Sequence, residues 1–290
     1  MFSLLTCALY KLLGAKFNRA VKIFRLGLAG PVWFDAAMAK ASLHSIVRYC
    51  DRLLRNRQFN DWPESVNGLQ VENRGHVTRI AAAVDASLAT VRMAVAAEAD
   101  FLLVHHGLFW DARHPWTGRR YQMLHLLVAR NLAVYSSHLP LDAHPRLGNN
   151  ARICAALGFK RLEPFYCEKE QPIGFKTSAR IARDELAARL EALVGAAPVV
   201  VPGGAEVCRK IGVVSGGAGD HLRRVADEGV DTYITGEGPH YSYALAEELG
   251  LNVFYAGHYA TETFGVKALA EHLALKFGVP WQFLDHPTGL

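Results

Sequence analysis

Several common protein classes are excluded by what the chain lacks. Its five cysteines, Cys7, Cys50, Cys154, Cys167 and Cys208, are scattered and form no Cys-x-x-Cys pair. An odd, unpatterned set argues against a disulfide framework or a thiolate zinc site, and points to reduced thiols in the cytoplasm. No segment approaches the ~18 unbroken apolar residues of a membrane span. Acid is absent before Asp35, while Lys11, Lys16, Arg19, Lys22 and Arg25 make residues 1–37 a +4 leader. The whole chain carries +5, so residues 38–290 carry only +1. Such a balance counts against a nucleic-acid partner for the body. No complete phosphate-loop or dinucleotide pattern is present. "GGAGD" (216–220) is a glycine-rich turn before a helix, read as a plain tight turn more readily than as a phosphate cradle. The leader could be a targeting segment or a basic amphipathic helix on a membrane surface. The simpler expectation is that translation starts at Met38, and no function is assigned to residues 1–37.

Strand-like and helix-like segments alternate through the body, the rhythm of an α/β protein. "SLHSIVRYCDRLL" (42–54) has helical spacing with Ser42 as N-cap. Strand, helix and strand follow in "RIAAAVDA" (79–86), "SLATVRMAVAAEA" (87–99) and "FLLVHHG" (101–107), then a helix at 123–131, a strand at 132–139 and a helix at 149–158. The rhythm returns from "KIGVVSGGA" (210–218) to a closing helix over 263–278. Asp100 matches Asp231, Gly107 matches Gly238, and "VHHG" falls on "TGEG". After an insertion around 111–120, "YSSHLPLDA" falls on "YAGHYATET", matching His138 to His258 and Asp142 to Glu262. The expected fold is therefore α/β: two similar lobes from an internal βαβ-type repeat, with equivalent strand ends facing across a cleft. The expected lobes are 38–159 and 209–290, joined by a connecting segment 160–208 that holds a helix over 178–195.

Those strand ends concentrate one chemistry. Each copy places His-x-x-x-carboxylate after a strand, His138/Asp142 and His258/Glu262, and the first copy adds His105 and His106. Imidazoles with carboxylates and no thiolate suit zinc, iron, manganese, cobalt or nickel. His258 and Glu262 are four apart where a helix starts, so they project from one face. Pro140 lies between His138 and Asp142, which makes that pair part of a turn. The strand breaks at Gly107, so adjacent His105 and His106 need not obey strict alternation. One ring then reaches one ion and its neighbour a second, with a carboxylate such as Asp142 between them. Two such ions clamp an oxygen and generate hydroxide near neutral pH.

On "SVNGLQVE" (65–72), "LLVHHGLFW" (102–110), "SSHLPLDAHPRLGNN" (136–150), "TGEGPHY" (235–241) and "GHYATE" (257–262), the chain resembles the GTP cyclohydrolase 1 type 2 family, the NIF-three-like dinuclear metal-binding proteins. The resemblance runs from about Ser42 to Gly278. It implies a two-lobed unit, a toroidal homohexamer, and two divalent ions per chain on His105, His106, Asp142, His258 and Glu262. His138 is expected to orient Asp142 or a water, or to shuttle protons, and Glu237, at the position of His106 in the first copy, to act as acid/base or substrate contact. His144 and His240 are candidates to line the pocket. Two functions follow from different classes. One is a metal-dependent hydrolase acting on a nucleotide or other phosphate-containing small molecule, GTP ring opening included. The other is a non-catalytic metal-binding or regulatory scaffold.

Overall fold

A computed structural model describes residues 40–110 and 114–290. The basic leader, and with it the expected start at Met38, lies outside the described residues. A short strand β1 (Ala41–Ser42) leads into helix α1 (Leu43–Leu54), whose first turn is capped by the Ser42 hydroxyl accepting from the Ser45 N–H. Strands β2 (Gly68–Val71) and β3 (His76–Val77) precede the first copy of the repeat: β4 (Ile80–Asp85), α2 (Leu88–Ala96), β5 (Phe101–His106), α3 (Gly118–Ala129) and β6 (Ala133–Ser136). Helices α4 (Leu139–Asp142) and α5 (Asn149–Ala156) lead to β7 (Glu163–Glu168), β8 (Gln171–Ala182), α6 (Arg183–Val194) and β9 (Val199–Pro202). The second copy is β10 (Val207–Val213), α7 (Leu222–Asp227), β11 (Thr232–Thr235), α8 (Ser242–Leu249) and β12 (Asn252–Tyr255). Helix α9 (His258–Phe277) and strand β13 (Trp281–Phe283) close the fold.

Besides the two-stranded antiparallel ribbon of β1 and β3, these strands make two larger sheets. One runs β13-β4-β5-β6-β2 and the other β7-β8-β10-β11-β12-β9. In each, the three strands of the repeat are parallel, the outcome of helical crossovers between neighbours. Both faces of each sheet are covered. Ile80, Ala82, Phe101 and Leu103 pack against α1 and α9, while Ala81, Ala83, Leu102 and Val104 pack against α2 and α3. This is why these strands read as unbroken apolar runs. In the second sheet Tyr233 and Val253 face α7 and α8, and Ile211, Ile234 and Phe254 face α5 and α6. Residues 160–208 supply β7, β8 and β9 to the second sheet, and β13 returns to the edge of the first.

Matching aspartates hold the two copies in matching register. The Asp100 carboxylate accepts the N–H groups of Thr78 and Arg79 at 2.9 and 3.1 Å. Asp231 accepts those of Arg209 and Lys210 at 3.1 and 3.0 Å. Ile80 pairs with Phe101 as Ile211 pairs with Thr232. Further along, the ladders correct the alignment by equal spacing. Leu103 pairs with Tyr135, and its counterpart Ile234 pairs with Phe254 rather than Tyr255. The second copy thus carries one extra residue between its strand and its histidine, accommodated at Gly257 with φ 89°.

The helix expected over 178–195 is also shorter. Residues 178–182 extend β8 instead. Ile181 is buried, whereas Ser178, Arg180 and Ala182 are exposed or partly so, the alternation of a strand covered on one face. Helix α6 begins only at Arg183 and ends at Gly195, whose φ of 84° suits glycine. Among the described residues no helix is long and apolar enough to cross a membrane.

Candidate metal centre

The carboxyl ends of β5, β6, β10 and β12 open onto one cleft, where ligands of α/β sheets commonly sit. Helix α9 brings the second copy's side chains to the first. It starts at His258, directly after Gly257. Val266, Leu269, Ala270 and Leu273 then bury in the core of the first sheet, while Phe264 packs against the second. The first turns of α9 are thereby fixed between the sheets.

Strand β5 pairs with β6 only as far as Val104, although Asp85 of β4 still faces His106. Beyond that point neither histidine is confined to one sheet face, and the ring centroids of His105 and His106 lie 4.8 Å apart. Both rings are anchored through Nδ1. His105 Nδ1 donates to the Ser137 carbonyl at 3.0 Å, and His106 Nδ1 to Asp85 at 2.9 Å. His138 repeats the device on Asp61 at 2.9 Å and His258 on Glu237 at 2.8 Å. Four imidazoles thus have Nδ1 committed and Nε2 free to accept a ligand, the arrangement that fixes the tautomer of a metal-binding histidine.

The Nε2 atoms meet two buried carboxylates. Glu262 Oε2 lies 3.2 Å from His258 Nε2 and 3.5 Å from His106 Nε2. Its Oε1 lies 3.5 Å from His105 Nε2, which is also 3.4 Å from Asp142 Oδ2. Asp142 Oδ1 accepts from Asn149 Nδ2 at 2.8 Å and Ser215 Oγ at 3.0 Å, so Oδ2 is left facing His105. His105 Nε2 and Glu262 Oε2 are buried without a hydrogen-bond partner, an arrangement that costs free energy unless something else satisfies them. A divalent cation would supply that missing partner, and the donor set fits one. Two groups of side chains, His105/His106/His138 and His106/His258/Glu262, each offer ligand atoms within 4.8 Å of one another. The five expected ligands His105, His106, Asp142, His258 and Glu262 therefore share one site.

Electrostatics follow from this packing. Burial opposes protonation of His105, but Asp142 and then Glu262 outweigh it and hold the pKa well above the usual histidine range. His258 is raised to about 9: burial is the largest influence and lowers it, yet contacts with Glu262 and Glu237 prevail. Burial pushes Glu262 up, and the charges of His106 and His105 overcome that and hold its carboxyl well below the usual range. Asp61, also opposed by burial, is kept low by His138.

His138 makes no bond to orient Asp142, which Asn149 and Ser215 hold. Instead its ring lies 5.0 Å from that of His105. Glu237 supports His258. Neither His144 nor His240 lines the cleft, whereas His221 does. At "GGAGD" the backbone approaches a buried carboxylate closely: a Cβ at Gly216 would stand 2.3 Å from Glu262 Oε1. "SVNGLQVE" is scaffolding for the first copy's tip. The Gln70 side chain accepts the Leu108 N–H at 2.7 Å, and a Cβ at Gly107 would collide with it. Asn67 Oδ1 accepts the His138 N–H at 2.7 Å and its Nδ2 donates to Asp61 at 2.8 Å. Sequence reasoning passed over Asp61, Asp85, Asn149 and Ser215. For Asp85 a signal existed, since it ends the strand adjacent to "VHHG". The cleft measures about 780 Å³ and carries Trp62, Trp110 and Tyr166 on its walls. Trp110 sets its ring edge-on to His138, with centroids 4.9 Å apart.

A family model described as Duf34/NIF3 (NGG1p interacting factor 3) matches residues 41–288. A Deinococcus radiodurans protein named GTP cyclohydrolase 1 type 2 homolog is 41% identical over 247 residues, covering 84% of this chain and 93% of its own. An Archaeoglobus fulgidus protein of the same name is 41% identical over 249 residues, covering 86% of this chain and 100% of its own. A crystal structure of a Thermus thermophilus protein superposes with a TM-score of 0.79 at 41% identity, over 86% of this chain and 100% of that one.

Proposed function

The chain belongs to the Duf34/NIF3 family, and from that premise we propose that its cleft is the centre of a dinuclear metal-dependent hydrolase acting on a nucleotide or phosphoester. One observation carries the reading. Three imidazoles, His105, His106 and His258, each fixed through Nδ1, direct Nε2 toward two buried carboxylates, and two of the facing atoms lack any other partner. His105, His106, Asp142, His258 and Glu262 hold the ions in this proposal. Divalent ions bound there supply Lewis acidity and make water a nucleophile near neutral pH.

The protein's own residues do the rest. Asp61 keeps the proton of His138 on Nδ1, which leaves Nε2 as a base facing the cleft. We assign proton transfer to His138 on that ground, and to Glu237 the positioning of His258. Trp62, Trp110 and Tyr166 offer apolar faces to a planar group. The names of the relatives suggest GTP ring opening as one reaction within this class. Assembly as a homohexamer and residence in the cytoplasm belong to the same proposal.

Elemental analysis of protein purified without added metal, paired with a screen of nucleotides and phosphoesters, tests it. About two ions per chain and turnover abolished by His138→Ala are expected. Two ions without turnover of any substrate would leave a metal-binding scaffold in its place, and absence of ions from never-chelated protein would remove the site itself.

A further inference from the structure

The polar face of α1 carries a feature unrelated to the metal cleft. Leu43, Ile46, Cys50 and Leu54 bury one face of α1. Around its C-terminal end a concavity of about 330 Å³ is lined by Arg48, Asp51, Arg52, Arg55, Arg57 and Gln58. It shares no lining residue with the cleft.

Three properties distinguish it from an ordinary solvated helix face. First, among the described residues no carboxylate forms an ion pair with any of the four arginines. The single acid in the lining is engaged elsewhere: Asp51 Oδ1 accepts from Tyr135 OH at 2.9 Å and Asn56 Nδ2 at 3.1 Å. Second, Arg48 and Arg52 are one turn apart, a like-charge spacing that disfavours the helix. Third, Arg55 occupies the helix C-cap with φ 58°, a left-handed conformation that glycine adopts more readily. Its Nε donates to Gln58 Oε1 at 2.8 Å, which leaves both terminal nitrogens of the guanidinium to other acceptors. Locally unfavourable charge and backbone geometry held in a concave place point to a ligand.

We propose that this pocket binds a small polyanion with two or more phosphoryl groups. Guanidinium forks match phosphate oxygens in pairs, and the volume lies at the small end of ligand pockets, roughly 300–1,000 Å³. A nucleic-acid strand fits less well, because residues 38–290 carry only +1 in total and offer no extended basic track. The pocket does not depend on the proposed hydrolase, and the two fail separately.

Titration calorimetry of the full-length protein with inorganic pyrophosphate tests the proposal, using protein as purified and after chelation. Binding is expected in both, weakening as sodium chloride rises from about 50 to about 200 mM. Arg52→Ala/Arg57→Ala should weaken it by about tenfold or more with metal content and Tm unchanged. Arg57→Ala alone, in an exposed turn, gives the same direction should the double variant be unstable. Affinity indifferent to the arginines overturns the proposal, as does binding that vanishes on chelation. So does a short oligouridylate that binds more tightly than pyrophosphate through the same arginines.

Discussion

The two ends of the repeat have one scaffold and unlike tips. In both copies an aspartate at the start of the second strand caps the strand before it, and the parallel ladders begin in the same register. At the other end the copies part. The first tip presents His105, His106 and His138, held by a carbonyl, Asp85 and Asp61. The second presents Glu262 and His258, backed by Glu237, with Gly216 stripped of any Cβ so that Glu262 can approach. Backbone pairing decides where a strand end lies. The side chains at that end decide what it does, and they change without disturbing the ladder. The site needs both tips: Glu262 alone faces rings from each copy.

The largest effect expected from breaking this comparison is at Glu262. Glu262→Gln removes the carboxylate that three imidazoles face, and metal affinity should fall on the order of 100-fold or more, because supporting residues alone are worth about 10–100-fold. Metal content after dialysis reads this directly, and full retention of both ions would contradict the assignment.

The next test is pH. In metal-stripped protein His258 keeps its proton to about pH 9, whereas an unfolded histidine loses it near ~6.5. The native state then binds more protons than the unfolded state, so this contribution to stability is complete below ~6.5 and is lost as pH rises toward 9. His105 acts in the same direction. Metal requires the unprotonated rings, so its binding should strengthen over the same interval. Melting temperature should fall with pH when the protein is stripped, and the gain from added metal should grow. Parallel slopes in the two states would refute this.

Supporting carboxylates sharpen the contrast between tips at smaller magnitude. Asp85→Asn in the first and Glu237→Gln in the second should each lower metal affinity by about tenfold, measured by competition with a chromophoric chelator. Equal loss from Asp100→Asn, at the far end of the sheet, would show that the effect is not specific to the tip. The smallest effects belong to the shared scaffold. Asp100→Ala and Asp231→Ala each unhook backbone N–H groups, at a cost of about 1–2 kcal/mol in chemical denaturation, with metal content unchanged.

Much of this was legible because local patterns were strong. The apolar runs of β4, β5 and β6, the Ser42 cap and the His258–Glu262 spacing are each readable within a few residues. The helix over 178–195 failed where local preference was overruled: "SARIA" favours a helix by composition, yet pairing with β10 and one covered face make it a strand. Asp61 was illegible for another reason. It lies 77 residues from His138, in a segment with no periodicity to mark it.

The repeated α/β rhythm, the residue types of a cation site and the near-neutral charge of the body follow from the amino-acid order alone, because periodicity and composition are local properties of the chain. It took long-range packing to make β8 reach Ala182, to set Asn149 and Ser215 rather than His138 against Asp142, and to leave no room for a side chain at Gly216. Those outcomes depend on which surfaces meet when two sheets bury their faces against shared helices, and contacts of that kind have no signature in either segment alone.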